Sequence, residues 1–371
     1  MLGWQREPVE EANMQGNICS TVGRRAAWAA VGLFLSIWAV AATGGNGQPA
    51  PKSPGLRIYF VDVEGGQSTL FVTPEGHSLL VDTGWTGNNG RDADRIAAAA
   101  KDAGISRLDY VLLTHYHPDH AGGLIEVAER LPIGTVIDHG ENTEPAEAST
   151  VPMYAMYMGL VANGKVKRLT PKPGDQLPIP DMDATVVSSA GEVIERPLPG
   201  AGEPNPACQG ADLKPIGQTE NPRSLGIRIV FGKLRILDLG DLTVEKEALL
   251  MCPANKLGRV DIFVVSHHGT ATSDSAALVH AIAPRVAIMD NGGRKGGSPS
   301  VWQTIESSPG LEDLWQLHTA EAEGSRNVAD AYIANLSGPD AGNYLKIKAW
   351  PDGRFEVFNA RTQATKEYPA R

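Results

Sequence analysis

The chain has 371 residues, of which 42% are hydrophobic, 20% charged and 6% aromatic. This composition excludes a disordered or collagen-like chain, and the length allows one large α/β domain with tails. The formal charge of −10, from 33 Lys and Arg against 43 Asp and Glu, disfavours a surface that binds nucleic acid by broad neutralisation of phosphates.

The N-terminal segment has the pattern of a signal peptide. An arginine pair precedes an apolar run over 26–42, which contains the small-x-small pattern that a signal peptidase requires. An uncleaved membrane anchor is one alternative, because a run of this length lies at the lower limit for crossing a bilayer, and a helix of the domain core is another. We expect residues 1–42 to act as signal peptide or anchor and residues 43–55 to form a flexible linker. The protein is therefore predicted to be exported, either periplasmic or secreted.

Three cysteines are too few for a disulfide scaffold, and two of them, Cys208 and Cys252, follow the N-terminal segment. In an oxidising compartment these two could form a disulfide. A pair of buried free thiols is the alternative, because free cysteine is one of the most buried residue types. The sequence leaves both open.

The first predicted elements form an antiparallel meander. Short β-type runs at 56–61, 69–72 and 78–81 are separated by glycine-containing turns. An alanine-rich helix at 92–103 and a buried strand at 108–113 follow. From this point the pattern changes from hairpins to alternating helices and strands.

The alternation of helices with buried strands indicates an α/β layered domain. We expect this domain to cover 56–360, with a long surface loop within 171–222. Its later strands are predicted at 184–188, 228–231, 234–237, 261–265 and 285–289, and its later helices at 244–250 and 275–282.

Three of the nine histidines lie in the segment His115-Tyr116-His117-Pro118-Asp119-His120. The segment directly follows a buried strand, so a strand-to-helix turn would present its side chains in one small volume. Imidazole nitrogens and carboxylates at this spacing suit Zn, Fe or Mn. The proline stiffens the turn, which reduces the entropy lost on binding a metal. The segment therefore predicts a metal site, and a solvated polar turn rich in histidine is the alternative.

The segment at 115–120 resembles the His-x-His-x-Asp-His signature of the metallo-β-lactamase-fold hydrolases. The segments at 238–242 and 266–270 resemble the second and third metal-binding segments of that family. The segment at 79–84 is similar to the family's first strand, whose aspartate, here Asp82, orients a metal-ligating histidine. The resemblance implies an α/β fold in the form of a four-layer αβ/βα sandwich, with two mixed sheets and outer helices.

The order and spacing of these segments look closest to secreted hydrolases that resemble the metal-binding domain of DNA-uptake competence proteins. The glycine-rich opening at 62–68 and the segment at 221–225 carry this resemblance. Gln67 stands where that branch has an acid, and the loop at 296–300 lacks the histidine that those proteins often have there. These two departures weaken the transfer of a nuclease role.

The resemblance implies a centre with two divalent metal ions, Zn or else Mn or Fe. An aspartate, Asp241, would bridge the ions, and a hydroxide shared between them would attack a carbonyl carbon or a phosphorus. The metal ligands that the resemblance implies are His115, His117, Asp119, His120, Asp241 and His267.

Adjacent histidines at a strand end cannot both point at one metal without strain. One of His267 and His268 is expected to complete the second ion and the other to face the substrate; the sequence leaves this open, and our working assignment makes His267 the ligand. His268 and Asp119 are then the candidate catalytic residues, with Asp119 orienting the nucleophile. His139 is a further candidate, as a metal ligand, a substrate contact or an ordinary strand-end histidine. Ser224 is a candidate contact for an anionic group.

The first functional hypothesis is an exported dinuclear metal hydrolase that acts on a small ester, most plausibly a phosphodiester or phosphoester. A lactone or β-lactam amide hydrolase is the second hypothesis. A non-catalytic exported binding protein and a nuclease-like competence-related protein are the others. We expect a small-molecule substrate, no nucleic acid partner, and membrane contact only through the N-terminal segment; the oligomeric state cannot be read from the sequence.

Overall fold

The computed structural model describes residues 55–371 apart from 210–216 and 218. The predicted signal peptide or anchor at 1–42, and the predicted linker up to residue 54, lie outside the described residues. Among the helices that are described, none is both long and apolar enough to span a membrane.

The described residues form strands and α-helices joined by loops and single 3-10 turns. The strands are β1 Leu56–Phe60, β2 Thr69–Val72, β3 Ser78–Val81, β4 Leu108–Leu112, β5 Ile133–Ile137, β6 Lys167–Leu169, β7 Asp183–Ser189, β8 Glu192–Val193, β9 Gly226–Phe231, β10 Leu234–Asp238, β11 Ile262–Val264, β12 Val286–Met289, β13 Asp313–His318, β14 Ile333–Asn335, β15 Leu345–Ala349, β16 Phe355–Asn359 and β17 Ala364–Tyr368. The helices are α1 Arg91–Asp102, α2 Pro118–Ala121, α3 Leu124–Arg130, α4 Val151–Ala162, α5 Val244–Met251, α6 Ala276–Ile282 and α7 Pro299–Glu306.

One sheet has its strands in the order β17-β16-β15-β1-β2-β3-β4-β5-β6. The first three strands of the chain are antiparallel neighbours, as the short turns between them predict. β4, β5 and β6 run parallel to β3, because each is reached through a helical crossover. The last three strands of the chain extend the other side of the sheet in antiparallel pairs.

The second sheet has the order β14-β13-β12-β11-β10-β9-β7-β8. Its strands from β10 to β14 are parallel, and α5, α6 and α7 make three of the crossovers. β9, β7 and β8 are antiparallel to their neighbours. Because β10, β11 and β12 run in one direction, their C-terminal ends lie along one edge of the sheet.

The apolar core is divided into three layers. Side chains such as Phe71, Ile236 and Ile288 fill the space between the two sheets. A second cluster lies under α1, α3 and α4 on the outer face of the first sheet, and a third lies under α5, α6 and α7 on the outer face of the second. The predicted four-layer sandwich, with two mixed sheets and outer helices, is confirmed.

The first sheet continues beyond residue 360, which is the predicted end of the domain. β17 pairs with β16 along its whole length, and its Tyr368 is 1% exposed and donates a hydrogen bond to Asp313 Oδ2 at 2.6 Å. The other four side chains of β17 are exposed or half-buried. A strand with one buried position has no alternating pattern, so its sequence contains little signal for it.

Cys208 and Cys252 form a disulfide, which resolves the choice that the sequence leaves open. The bond joins the loop after Pro204 to the end of α5, and the two cysteines are 44 positions apart in sequence. Asn205 supports the same junction, since its side-chain amide donates to the carbonyl oxygens of Met251 at 3.1 Å and Ala277 at 2.8 Å.

Removal of this disulfide is expected to destabilise the domain. In the chain-entropy account a loop of this length stabilises the folded state by up to about 4 kcal/mol. The doubly substituted Cys208→Ser, Cys252→Ser protein should therefore unfold at a lower urea concentration than the oxidised parent. Dithiothreitol should lower the urea midpoint of the parent and leave that of the double variant unchanged. Equal midpoints for oxidised and reduced parent protein would contradict this.

Candidate metal centre

The candidate site lies where strands of both sheets end. The segment 115–120 follows β4 of the first sheet, and Asp241, His268 and Asp290 follow β10, β11 and β12 of the second. Loops at the carboxyl ends of parallel strands meet at one edge, which is where ligands bind in such sheets. This arrangement brings together side chains that are far apart in sequence.

The first group of potential metal ligands consists of Asp119, His120, Asp241 and His268, all of them buried. His120 Nε2 lies 3.2 Å from Asp119 Oδ2 and 3.2 Å from Asp241 Oδ1. His268 Nε2 lies 3.1 Å from Asp119 Oδ2 and 3.2 Å from His120 Nε2. Four donor atoms thus point into one small space.

The second group consists of His115, His117 and Asp241. His115 Nε2 lies 3.0 Å from His117 Nδ1 and 3.8 Å from Asp241 Oδ2. Asp241 therefore belongs to both groups, and it faces the first through Oδ1 and the second through Oδ2.

The donors present fit divalent cations. Asp241 Oδ1 is buried and accepts no hydrogen bond from the residues that the structure describes. Burial lowers the pKa of His115 well below its usual value, so its imidazole is neutral and has a free lone pair. Burial also acts to lower the pKa of His120, but Asp241, Asp119 and Asp82 outweigh it and raise that pKa well above the usual value. The carboxylates thus attract positive charge to this position, which a divalent ion would supply.

Asp82 orients His120. Its Oδ2 lies 2.7 Å from His120 Nδ1 and accepts a hydrogen bond from Thr114 Oγ1 at 2.7 Å, while its Oδ1 accepts one from the Thr114 amide at 2.8 Å. This contact at Nδ1 leaves Nε2 to face the first group. The position is the one that the family resemblance implies for this aspartate.

The geometry of the two adjacent histidines favours the reverse of the working assignment. Both have positive φ, 51° for His267 and 56° for His268, and this tight turn separates their ring centroids by 6.1 Å. His268 is fully buried and belongs to the first group of donors. The side chain of His267 is 14% exposed, and its Nε2 lies 3.3 Å from Asp241 Oδ2 at the rim. The geometry therefore favours His268 as the ligand and His267 as the residue that faces a substrate.

His139 lies in neither group of donors. Its Nε2 lies 2.7 Å from Glu220 Oε2, and Glu220 Oε1 accepts hydrogen bonds from the amide and the hydroxyl of Thr143 at 2.7 and 2.6 Å. Burial raises the pKa of Glu220, but His139 and Thr143 outweigh it and lower that pKa to about 2. His139 therefore contacts a buried carboxylate and lies outside both groups of potential metal ligands.

Ser224 and Gln67 are both buried behind the site. Ser224 Oγ is buried and lies 3.5 Å from His115 Nδ1, so its observed neighbour is a potential metal ligand. Gln67 Nε2 donates to both carboxylate oxygens of Asp238, at 2.9 and 2.8 Å. Burial raises the pKa of Asp238 to about 7. An acid in place of Gln67 would repel the Asp238 carboxylate, which explains why an amide is favoured at position 67.

Three residues near the donors are absent from the sequence-based set of candidates. Asp290 Oδ1 lies 3.3 Å from His268 Nδ1, and Glu144 Oε2 lies 3.2 Å from His117 Nε2. Lys295 forms an ion pair with Asp119. Of the three, only Asp290 has a signal in the sequence, since it follows a buried strand as Asp241 does. The other two come from loops whose path the sequence does not reveal.

Comparisons with known proteins agree with the geometry of the candidate metal centre. The profile of the family described as "Metallo-beta-lactamase superfamily" matches residues 62–289, a range that contains both groups of donors. Recombination protein 2 of Haemophilus influenzae is 24% identical over 248 residues, which are 65% of this chain and 25% of that protein. Competence protein ComA of Neisseria gonorrhoeae is 24% identical over 265 residues, 70% of this chain and 31% of that protein. A metal-dependent hydrolase of Staphylococcus saprophyticus is 40% identical over 65 residues, 18% of this chain and 25% of that protein. The chain thus spans a third or less of the length of these relatives.

Proposed function

The chain belongs to the metallo-β-lactamase superfamily. From this premise we propose that it is a metal-dependent hydrolase, and that it cleaves a small phosphodiester or phosphoester at a dinuclear centre outside the cytoplasm. The observation that carries the proposal is the position of Asp241, which faces one group of donors through each carboxylate oxygen. We propose Zn for both ions, with Mn and Fe as alternatives, because imidazole and carboxylate ligands accept all three.

The side chains of the site have separate tasks in this proposal. Divalent ions bound to them would polarise the scissile bond and lower the pKa of water, which is the chemistry that such ions supply. Asp82 and Asp290 contact the Nδ1 atoms of His120 and His268, so that both Nε2 atoms point inward. Asp119 completes the first group of donors and orients the attacking water.

His267 is the residue that we assign to the developing charge on the substrate. Its Nδ1 lies 2.9 Å from Thr272 Oγ1, which holds the ring, and its Nε2 lies at the partly exposed rim. Burial lowers the pKa of His267, so the ring is neutral near pH 7 and can donate one hydrogen bond from Nε2 when Nδ1 accepts from Thr272. A donor at this rim would stabilise an oxyanion.

A small molecule is the substrate class that this chain favours over nucleic acid. Two of the relatives are named for recombination and competence. The formal charge of −10 nevertheless opposes the association of a long polyanion, whereas a single phosphate group needs only the local cations of the site. We propose that membrane contact is limited to the N-terminal segment.

Export is supported by two independent features. The apolar run that follows the arginine pair has the pattern of a signal peptide or anchor. Cys208 and Cys252 form a disulfide, and such bonds persist in oxidising compartments. We propose a periplasmic or secreted location.

Hydrolysis of three model substrates tests the reaction class. With metals quantified in the same sample, we expect turnover of bis-p-nitrophenyl phosphate or p-nitrophenyl phosphorylcholine with about two ions per chain, and none of nitrocefin. His117→Ala should abolish this turnover. His77→Ala is the matched control, because His77 is a surface histidine whose side chain is 43% exposed. Turnover of nitrocefin alone would show that the substrate is an amide and would contradict the proposed phosphoester. Two bound ions without turnover of any of the three substrates would contradict both the phosphoester and the amide hypotheses.

A further inference from the structure

A basic loop after β12 reaches the candidate metal centre. In this loop, Asn291 to Gly297, the ammonium of Lys295 pairs with Asp119 Oδ2. The same oxygen lies 3.1 Å from His268 Nε2 and 3.2 Å from His120 Nε2. Lys295 Nζ therefore lies beside the first group of donors, although no metal-binding segment of the chain contains it.

Hydrogen bonds and one glycine hold the loop in this place. The amide of Gly297 donates to the carbonyl oxygen of His268 at 2.9 Å, and the amide of Gly292 donates to that of Lys295 at 2.9 Å. Gly296 has a φ of +77°, and a Cβ on it would lie 1.9 Å from the His268 carbonyl oxygen, so only glycine fits there. The backbone that bears Lys295 is thus tied directly to a potential metal ligand.

The side chain of Lys295 also opens onto a cavity. Its side chain is 34% exposed, and its Nζ lies 5.2 Å from the centroid of the Trp85 ring. The cavity has a volume of about 640 Å³, and Trp85, Arg91, Lys295 and His318 are among its lining residues. One ammonium therefore connects the donors of the metal centre with a space large enough for part of a substrate.

We propose that Lys295 binds a negatively charged oxygen of the substrate, so that the enzyme selects anionic esters over neutral ones. The group attached to the phosphate would then lie in the cavity beside Trp85. This inference rests on the proposed function. Asp119 has a single carboxylate, which would have to contact both Lys295 and a divalent ion bound by the first group of donors. An ammonium beside divalent cations is repelled by them unless a further anion lies between. A phosphodiester supplies that anion, and a neutral ester does not.

Two substrates with the same leaving group separate this role from a structural one. We expect Lys295→Met to lower kcat/KM for bis-p-nitrophenyl phosphate by about 30-fold or more, and for the neutral p-nitrophenyl acetate by less than about 3-fold. Lys295→Arg should retain most of the activity on the phosphodiester. The matched control is Lys101→Met, which removes one exposed charge on α1 and should leave both substrates unaffected. Metal content must equal that of the parent in every variant.

Binding of inorganic phosphate gives a second readout that does not depend on turnover. In calorimetric titrations the Kd for phosphate should rise about tenfold in Lys295→Met and stay unchanged in Lys101→Met. Equal losses on the anionic and neutral esters, or unchanged phosphate binding at full metal content, would overturn the inference and leave Lys295 as a structural partner of Asp119. Failure of the parent protein to hydrolyse bis-p-nitrophenyl phosphate would instead refute the proposed function, and the phosphate titration would still decide the role of Lys295.

Discussion

Replacement of Asp241 by alanine is expected to lower turnover by about 1000-fold or more, because polarisation by metal ions contributes several kcal/mol to transition-state stabilisation and every 1.36 kcal/mol is tenfold. Asp241 is the only residue common to both groups of donors among the described residues, and it faces each through a different oxygen. Its loss should therefore reduce binding of both ions. The measurement is kcat/KM together with metal content by elemental analysis.

The control for this variant is Asp183→Ala, which removes an exposed carboxylate at the start of β7 and should change neither quantity. Circular dichroism of Asp241→Ala must show the parent's secondary structure, since the side chain is buried. Unchanged turnover in an Asp241→Ala protein with verified metal loss would refute the dinuclear mechanism. Loss of one ion with retention of the other would show that Asp241 serves a single ion.

Substitutions of the two adjacent histidines are expected to have different effects. His268→Asn should lose one of the two ions and most of the activity, because its Nε2 belongs to the first group of donors. His267→Asn should keep both ions, while kcat falls by about 100-fold, because the shorter amide cannot place its donor where His267 Nε2 would meet the developing charge. Metal content separates the two cases even where both variants are inactive.

The reverse pattern, with ion loss in His267→Asn alone, would restore His267 as the ligand and His268 as the residue that faces the substrate. His267 is near enough to Asp241 for this outcome to be physically reasonable, at 3.3 Å from Oδ2. Thermal melting of both variants guards against misfolding as a cause, because His268 is fully buried and its Nδ1 faces Asp290. An ion-depleted parent protein provides the reference for stability without metal.

The local pattern of the chain was sufficient for a layered α/β domain and for a metal site at the segment 115–120, whereas the four-layer form and the individual ligands were implied by the family resemblance. The histidines of the segment 115–120 are close in sequence, and one strand-to-helix turn brings them together. Asp82 and Asp241 each follow a buried strand, and such strands have a continuous apolar pattern that can be read without a structure. The family resemblance supplied the order in which these segments combine.

Only the tertiary structure decided the contacts between distant loops. Lys295 and Asp119 are 176 positions apart, and His139 and Glu220 are 81 positions apart. The roles of His267 and His268 depend on two positive φ angles that turn neighbouring rings in different directions. Local sequence determines which side chains follow each strand, since apolar periodicity is a local property. Which of those side chains meet depends on how the two sheets pack, and that is set by the whole core at once.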